Sequence, residues 1–204
     1  MDDIDEGVAE SGVDDPDDFE EDEPPAPLWA KLGTGVVAVV LVGFIAVLAT
    51  SDGGDGTGRV DSRLIGRAVP ELVGTTLDGS TYDIDSARGT WTVINFFASW
   101  CAACQAEHPE FIEFADRHSD GSAQMVSVVM GDTESAVREF FDDRGGDWPV
   151  IVDAASAPAE FVVLQVPETF LVAPSGLVVD KWIGQITADT LDAAIDRLVA
   201  GSSQ

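Results

Sequence analysis

The order of secondary-structure patterns in residues 63–199 most constrains how this chain can fold. A buried-strand pattern at 90–97 leads directly into a helical pattern at 102–118. A second buried strand and a second helix follow at 124–130 and 134–144. Regular alternation of strands and helices along the chain is typical of α/β domains. The pattern therefore predicts an α/β fold.

The later part of the same region predicts that the sheet is mixed. Two strand patterns at 169–173 and 177–183 are separated by Pro174-Ser175-Gly176, which is a turn signal. A hairpin adds antiparallel strands to the parallel pair, so we expect a mixed sheet flanked by helices, the last of them at 187–199. A short strand at 149–152 and a brief helix at 159–164 complete the pattern. Before these elements, Asp78-Gly79 between two strand patterns predicts an N-terminal β-hairpin.

The first 27 residues have a different composition. They contain 13 acidic residues and no Lys or Arg, within a chain whose net charge is -28. Such a segment cannot bury enough apolar surface to fold, so we predict a disordered acidic tail over 1–27. A binding tail for a basic partner is the alternative. Nucleic acid is not an expected partner, because binding it requires a basic surface.

Residues 28–51 are predicted to form one transmembrane helix. The run from 32 to 51 has no charged residue, and twenty helical residues span about 30 Å, the thickness of a bilayer core. A buried core helix of this length would show a polar face, and a signal peptide would not follow an acidic stretch. The Gly-rich residues 52–62 are then a flexible linker to a domain at 63–204.

Basic residues near the apolar run do not settle its orientation. Counted directly beside the run, Lys31 on its N-terminal side favours a cytoplasmic N-terminus. Counted over a wider window, Arg59, Arg63 and Arg67 after the run outnumber Lys31 and favour the opposite orientation. The cysteine chemistry favours a domain outside the reducing cytoplasm. We therefore expect a single-pass cell-membrane protein with its catalytic domain extracytoplasmic and its acidic tail cytoplasmic.

The only two cysteines, Cys101 and Cys104, are three residues apart at the junction of the first buried strand and its helix. A thiol at a helix N-terminus lies near partial positive charge, which stabilises the thiolate. The second cysteine lies one helical turn further, close enough for a disulfide. This arrangement predicts thiol–disulfide exchange, with Cys101 attacking a target disulfide and Cys104 resolving the mixed disulfide.

Other roles for these cysteines are less well supported. A zinc site could combine them with His108 and His118, but structural zinc ligands usually come from separate elements rather than one helix. Covalent haem attachment needs a His directly after the second cysteine, and position 105 is Gln. Two inert core cysteines are a further alternative. We expect no bound metal and no cofactor.

Several segments resemble the thioredoxin superfamily, in particular its membrane-anchored branch of TlpA, ResA and CcmG/DsbE-like proteins. They are 65–70 (IGRAVP), the Asp78-Gly79 hairpin, 93–101 (VINFFASWC) and 166–172 (VPETFLV). The resemblance implies a thioredoxin-like fold with the N-terminal hairpin as an extension. It also implies a monomeric enzyme that reduces protein disulfides, such as those of apocytochrome c, and is recycled by a membrane thiol donor. A thiol oxidase or isomerase of secreted proteins and a metal-delivery or assembly protein are the alternatives.

The resemblance also assigns residues to the site. Glu107 matches an acid found three residues after the second cysteine, where it could accept the proton of Cys104. Asn95 stands where cytosolic relatives carry a titrating Asp. Pro167 matches the family's cis-proline, so we expect a cis bond after Val166.

Four residues are expected to contact or influence the substrate. Trp100 would shield the cysteine pair, and Val166 and Pro167 would dock an extended substrate beside Cys101. Glu168 would lie close enough to tune the thiols. His108 is expected on the surface.

Overall fold

The computed structural model describes residues 58–202. The predicted acidic tail (1–27), the predicted transmembrane helix (28–51) and residues 52–57 of the predicted linker lie outside the described residues. Within 58–202, no helix is both long and apolar enough to cross a membrane. The anchor therefore stays a prediction.

The described region contains one five-stranded mixed sheet and one separate hairpin, as the alternating pattern predicts. The hairpin strands are β1 (Val73–Thr75) and β2 (Thr81–Asp83), and the sheet strands are β3 (Trp91–Phe97), β4 (Ala123–Val129), β5 (Val150–Ile151), β6 (Glu168–Val172) and β7 (Val178–Ile183). The sheet order is β5-β4-β3-β6-β7. Strands β3, β4 and β5 are parallel, whereas β6 and β7 are antiparallel to their neighbours. This is a thioredoxin-like arrangement.

Four helices accompany the sheet. They are α1 (Ala102–Arg117), α2 (Glu134–Arg144), α3 (Ala157–Glu160) and α4 (Ala188–Ser202), with a 3-10 turn at Ile84–Ala87. Local signals fix the bounds of α2: the hydroxyl of Thr133 accepts the amide of Ala136, and Gly145 ends the helix at a φ of 78°. The predicted brief helix at 159–164 instead lies at Ala157–Glu160, because Pro158 starts a helix well and Val162 has a positive φ.

Each face of the sheet carries its own apolar core. On one face, Phe96, Phe161 and Phe170 form a cluster with ring centroids 5.2–5.8 Å apart. On the other face, Leu171 and Trp182 belong to the core that includes residues of α1 and α4. Adjacent strand residues such as Phe170 and Leu171 point to opposite faces, so β6 contributes to both cores.

The N-terminal end of the domain differs from the expectation. The linker was predicted to reach residue 62, but residues 58–60 pair with β7. The amide of Val60 donates to Lys181 O at 2.9 Å, and Gly58 O accepts from Ile183 N at 2.8 Å. Arg59 also forms an ion pair with the buried Asp180. The ordered domain therefore includes residues that composition alone assigns to a linker.

Candidate active site

Cys101 occupies the N-cap of α1, directly after the loop that follows β3. It forms a disulfide with Cys104, and the two Cα atoms are 5.2 Å apart. The sulfur of Cys101 accepts the amide N–H of Cys104 at 3.2 Å. Both residues are buried, Cys101 at 7% exposure and Cys104 at 3%. In the reduced protein the same N–H and the helix N-terminus would stabilise a Cys101 thiolate.

The loop before the cysteines is fixed by Asp132, which sequence reasoning missed. One carboxylate oxygen of Asp132 accepts from the amide of Ser99 at 2.7 Å and from its hydroxyl at 2.6 Å. Trp100 donates its indole N–H to Gly131 O at 3.0 Å and stays 64% exposed. Asp132 follows β4 as Ser99 follows β3, and the ends of neighbouring parallel strands meet at one sheet edge. That topological signal could have identified Asp132.

The segment just before β6, 65 residues after Cys101, also lies beside this cysteine. The Val166–Pro167 peptide bond is cis, which confirms that prediction. The carbonyl oxygen of Val166 lies 3.7 Å from the sulfur of Cys101. Because β3 and β6 are hydrogen-bonded neighbours, the end of β3 and the start of β6 bring these residues together. The backbone of Val166 thus lies directly beside the reactive sulfur.

Glu107 is a buried carboxyl group one helical turn after Cys104. It is 2% exposed, and its two oxygens accept from Asn95 Nδ2 at 3.2 Å and from Ile186 N at 3.3 Å. The amide of Asn95 also donates to the hydroxyl of Thr169 at 3.1 Å. Burial raises the pKa of Glu107 to about 8, although the two hydrogen bonds oppose that rise. Such a group can exchange a proton with a thiol near neutral pH.

Glu168 is buried at the start of β6. It is 1% exposed, and its carboxylate forms an ion pair with Lys181 Nζ at 2.6 Å. Its other oxygen accepts from the amides of Leu164 and Gln165 at 3.0 and 3.3 Å. The carboxylate is thus engaged with a lysine and a loop, so at 1% exposure it offers no surface to a substrate. Its expected influence on the thiols stays a prediction. The pairing of Glu168 with Lys181 could not be predicted from the sequence, because the contact depends on the register of β6 and β7.

His108 is buried rather than on the surface, so that prediction was wrong. Its ring nitrogen Nε2 lies 2.9 Å from Gly145 O, and its ring packs against Phe140 with centroids 4.7 Å apart. Burial lowers the pKa of His108. The second histidine, His118, contacts Asp192 at 2.8 Å. The residues suggested for a zinc site therefore do not converge, and nowhere in 58–202 do three or more potential ligands form a metal-binding group.

The fold and the paired cysteines define a thioredoxin-like thiol–disulfide oxidoreductase. The chain belongs to the Redoxin family, whose model matches residues 64–196.

Relatives and solved structures agree with this class. The chain is similar to a thiol-disulfide oxidoreductase ResA of Bacillus cereus, at 27% identity over 66% of this chain and 78% of that protein. It is similar to ResA of Bacillus subtilis at 23% identity over 86% of this chain and 96% of that protein. Among solved structures, MTB DsbF is 29% identical with a TM-score of 0.57, covering 62% of this chain and 94% of that one.

Proposed function

We propose that this protein is a membrane-tethered, extracytoplasmic thiol–disulfide oxidoreductase that reduces disulfides in substrate proteins. The arrangement around Cys101 carries the proposal. Its sulfur accepts the Cys104 amide at 3.2 Å and lies 3.7 Å from the Val166 carbonyl. A thiolate in this position is stabilised for attack, and the partly buried backbone of Val166 beside it can dock an extended substrate.

The reaction balances as a two-electron exchange. The reduced Cys101 thiolate attacks one sulfur of a substrate disulfide, forms a mixed disulfide and releases the other substrate sulfur as a thiol. Cys104 then loses its proton and attacks the Cys101 sulfur, which forms the Cys101–Cys104 disulfide and releases the second substrate thiol. The carboxylate form of Glu107 accepts the Cys104 proton, and its pKa of about 8 is close to that of an ordinary thiol.

Each turnover leaves the enzyme oxidised, so a reductant must regenerate it. We assign this role to a membrane protein that carries a dithiol, which would be oxidised to a disulfide as the enzyme is reduced. Apocytochrome c is the proposed substrate, by resemblance to the membrane-anchored thioredoxin-like branch. The uncharged run within 28–51 supports a single membrane anchor, and the protein is proposed to act as a monomer.

Equilibration of the full-length protein with glutathione redox buffers tests the direction of electron flow. We expect a reduction potential for the Cys101–Cys104 couple that is more negative than about -200 mV, as in reducing members of this fold. A potential near -120 mV, typical of a strong oxidant, would contradict reduction and support the oxidase alternative. Replacing Cys101 with Ala gives the control, which should show no redox transition.

A reporter fused after Gln204 tests the proposed location. If the reporter is an enzyme that folds and works only outside the cytoplasm, it should be active in this fusion. The matched control carries the same reporter before Met1, where we expect no activity. Activity of a cytoplasm-dependent reporter at the C-terminus would refute the extracytoplasmic placement.

A further inference from the structure

Leu164 is the most exposed large apolar residue in the part of the chain that the structure describes, at 84%. A single exposed leucine is ordinary on a protein surface. This one differs because it lies two residues before Val166, the residue whose carbonyl is beside the reactive sulfur. Its backbone is also held by charges buried within the domain.

Those charges belong to Glu168 and Lys181, whose side chains are 1% and 8% exposed. One carboxylate oxygen of Glu168 accepts the amide of Leu164 at 3.0 Å. The ammonium of Lys181 donates to Val162 O at 3.3 Å and lies 4.9 Å from the ring centroid of Phe170. A buried ion pair is a costly way to stabilise a fold unless its remaining hydrogen bonds are satisfied. Here both partners direct those bonds to the same short loop.

The loop backbone is itself unusual at Val162. Its φ is 56°, a left-handed conformation that β-branched residues rarely adopt. Such conformations persist only where the surrounding structure determines them, and they concentrate at functional sites. The hydrogen bond from Lys181 Nζ to the Val162 carbonyl oxygen helps to hold Val162 in this conformation.

We propose that Glu168 and Lys181 are positioning residues that present Leu164 as an apolar specificity contact for the substrate. This inference rests on the proposed function, because it concerns which protein disulfides the enzyme prefers. Leu164 and Val166 are at most about 7 Å apart along the backbone. An extended substrate segment beside Val166 would place a side chain flanking its cysteine against Leu164. The preferred substrate is therefore a disulfide whose cysteine has an apolar neighbour.

Kinetics with two disulfide-bearing peptides test the contact, using peptides that differ only by Phe or Ser beside one cysteine. The full-length, reduced protein should show a lower KM for the Phe peptide than for the Ser peptide. Leu164→Ser should lower the Phe-to-Ser ratio of kcat/KM about tenfold, which corresponds to losing part of a buried leucine contact. Leu164→Met, which keeps an apolar side chain, should show the same Phe-to-Ser ratio as the wild type. Leu177→Ser is the matched control, since Leu177 is 39% exposed near the opposite end of β6.

The double variant Glu168→Gln/Lys181→Met tests the positioning role, because removing both charges avoids a lone buried ion. We expect it to lower the same ratio, and adding Leu164→Ser should lower it little further. An unchanged ratio in Leu164→Ser would overturn the inference, as would equal losses with both peptides. Because Leu164 is exposed, this test stands even if the double variant fails to fold. Failure of the wild-type protein to reduce 2-hydroxyethyl disulfide would instead refute the proposed function itself.

Discussion

Glu107 should make the stability of the oxidised protein strongly dependent on pH. Its pKa rises from an ordinary 4.5 to about 8 because the carboxyl group is buried. The folded protein therefore keeps a proton that the unfolded chain loses between these pH values, so stability is full below pH 4.5 and falls as pH rises toward 8. Each pKa unit corresponds to about 1.4 kcal/mol, which gives a total loss of about 5 kcal/mol.

Glu107→Gln removes this dependence because the amide does not titrate. Gln offers one acceptor oxygen to two donors, Asn95 Nδ2 and Ile186 N, so the variant should be about 1 kcal/mol less stable at pH 3.5, where wild-type Glu107 is protonated in both states. At pH 8 it should be the more stable protein by several kcal/mol, since the wild type then bears the cost of the raised pKa. The order of stabilities is thus expected to reverse between pH 3.5 and pH 8.

Urea unfolding at pH 3.5, 6 and 8 measures the effect, with the disulfide intact so that no thiol titrates. Glu139→Gln is the matched control, because Glu139 is an exposed glutamate on α2. Its unfolding free energy should follow the wild type at every pH. Parallel pH profiles for wild type and Glu107→Gln would refute a buried, proton-retaining carboxyl group at this position.

Three further predictions concern the site. Cys104→Ala should accumulate mixed disulfides with substrate on non-reducing gels, whereas Cys101→Ala should not. Equal trapping by both variants would contradict the assigned roles of attacking and resolving cysteine. Glu107→Gln should slow the resolving step measured by stopped flow, and normal turnover across pH would show that the carboxylate does not take the proton. Asp132→Ala should cost about 2 kcal/mol in unfolding experiments, because its charged hydrogen bonds to Ser99 are lost; an unchanged midpoint would contradict this.

Local signals in the sequence predicted much of the fold and the centre of the site. Helix α2 was predicted with its observed bounds because an amphipathic pattern and the Gly145-Gly146 stop are short-range features, whereas the Thr133 cap was not used in the prediction. The cysteine pair was predicted because its strand–helix junction is contiguous in sequence. Base rates for X–Pro bonds favour trans, so the cis bond at Pro167 was predicted from the resemblance together with the position of this proline directly before a strand.

The supporting contacts of the site could not be predicted in the same way. The pairing of Glu168 with Lys181 depends on the register of β6 against β7, which a one-residue shift would destroy. The bond from Ser99 to Asp132 joins two loops 33 residues apart. His108 was expected on the surface because a polar residue is usually exposed, but the aromatic side chains of α2 cover it.

The pairing of residues 58–60 with β7 has a practical consequence for expressing this domain. Strand β7 is an edge strand of the sheet, and an uncovered edge is a template for pairing with another molecule. A fragment begun at residue 63, where composition suggests the domain starts, would expose that edge. It would also remove Arg59 from the buried Asp180 and leave Arg197 as its remaining ion-pair partner. Aggregation of such a fragment would then reflect where it was cut and not an inability of the sequence to fold.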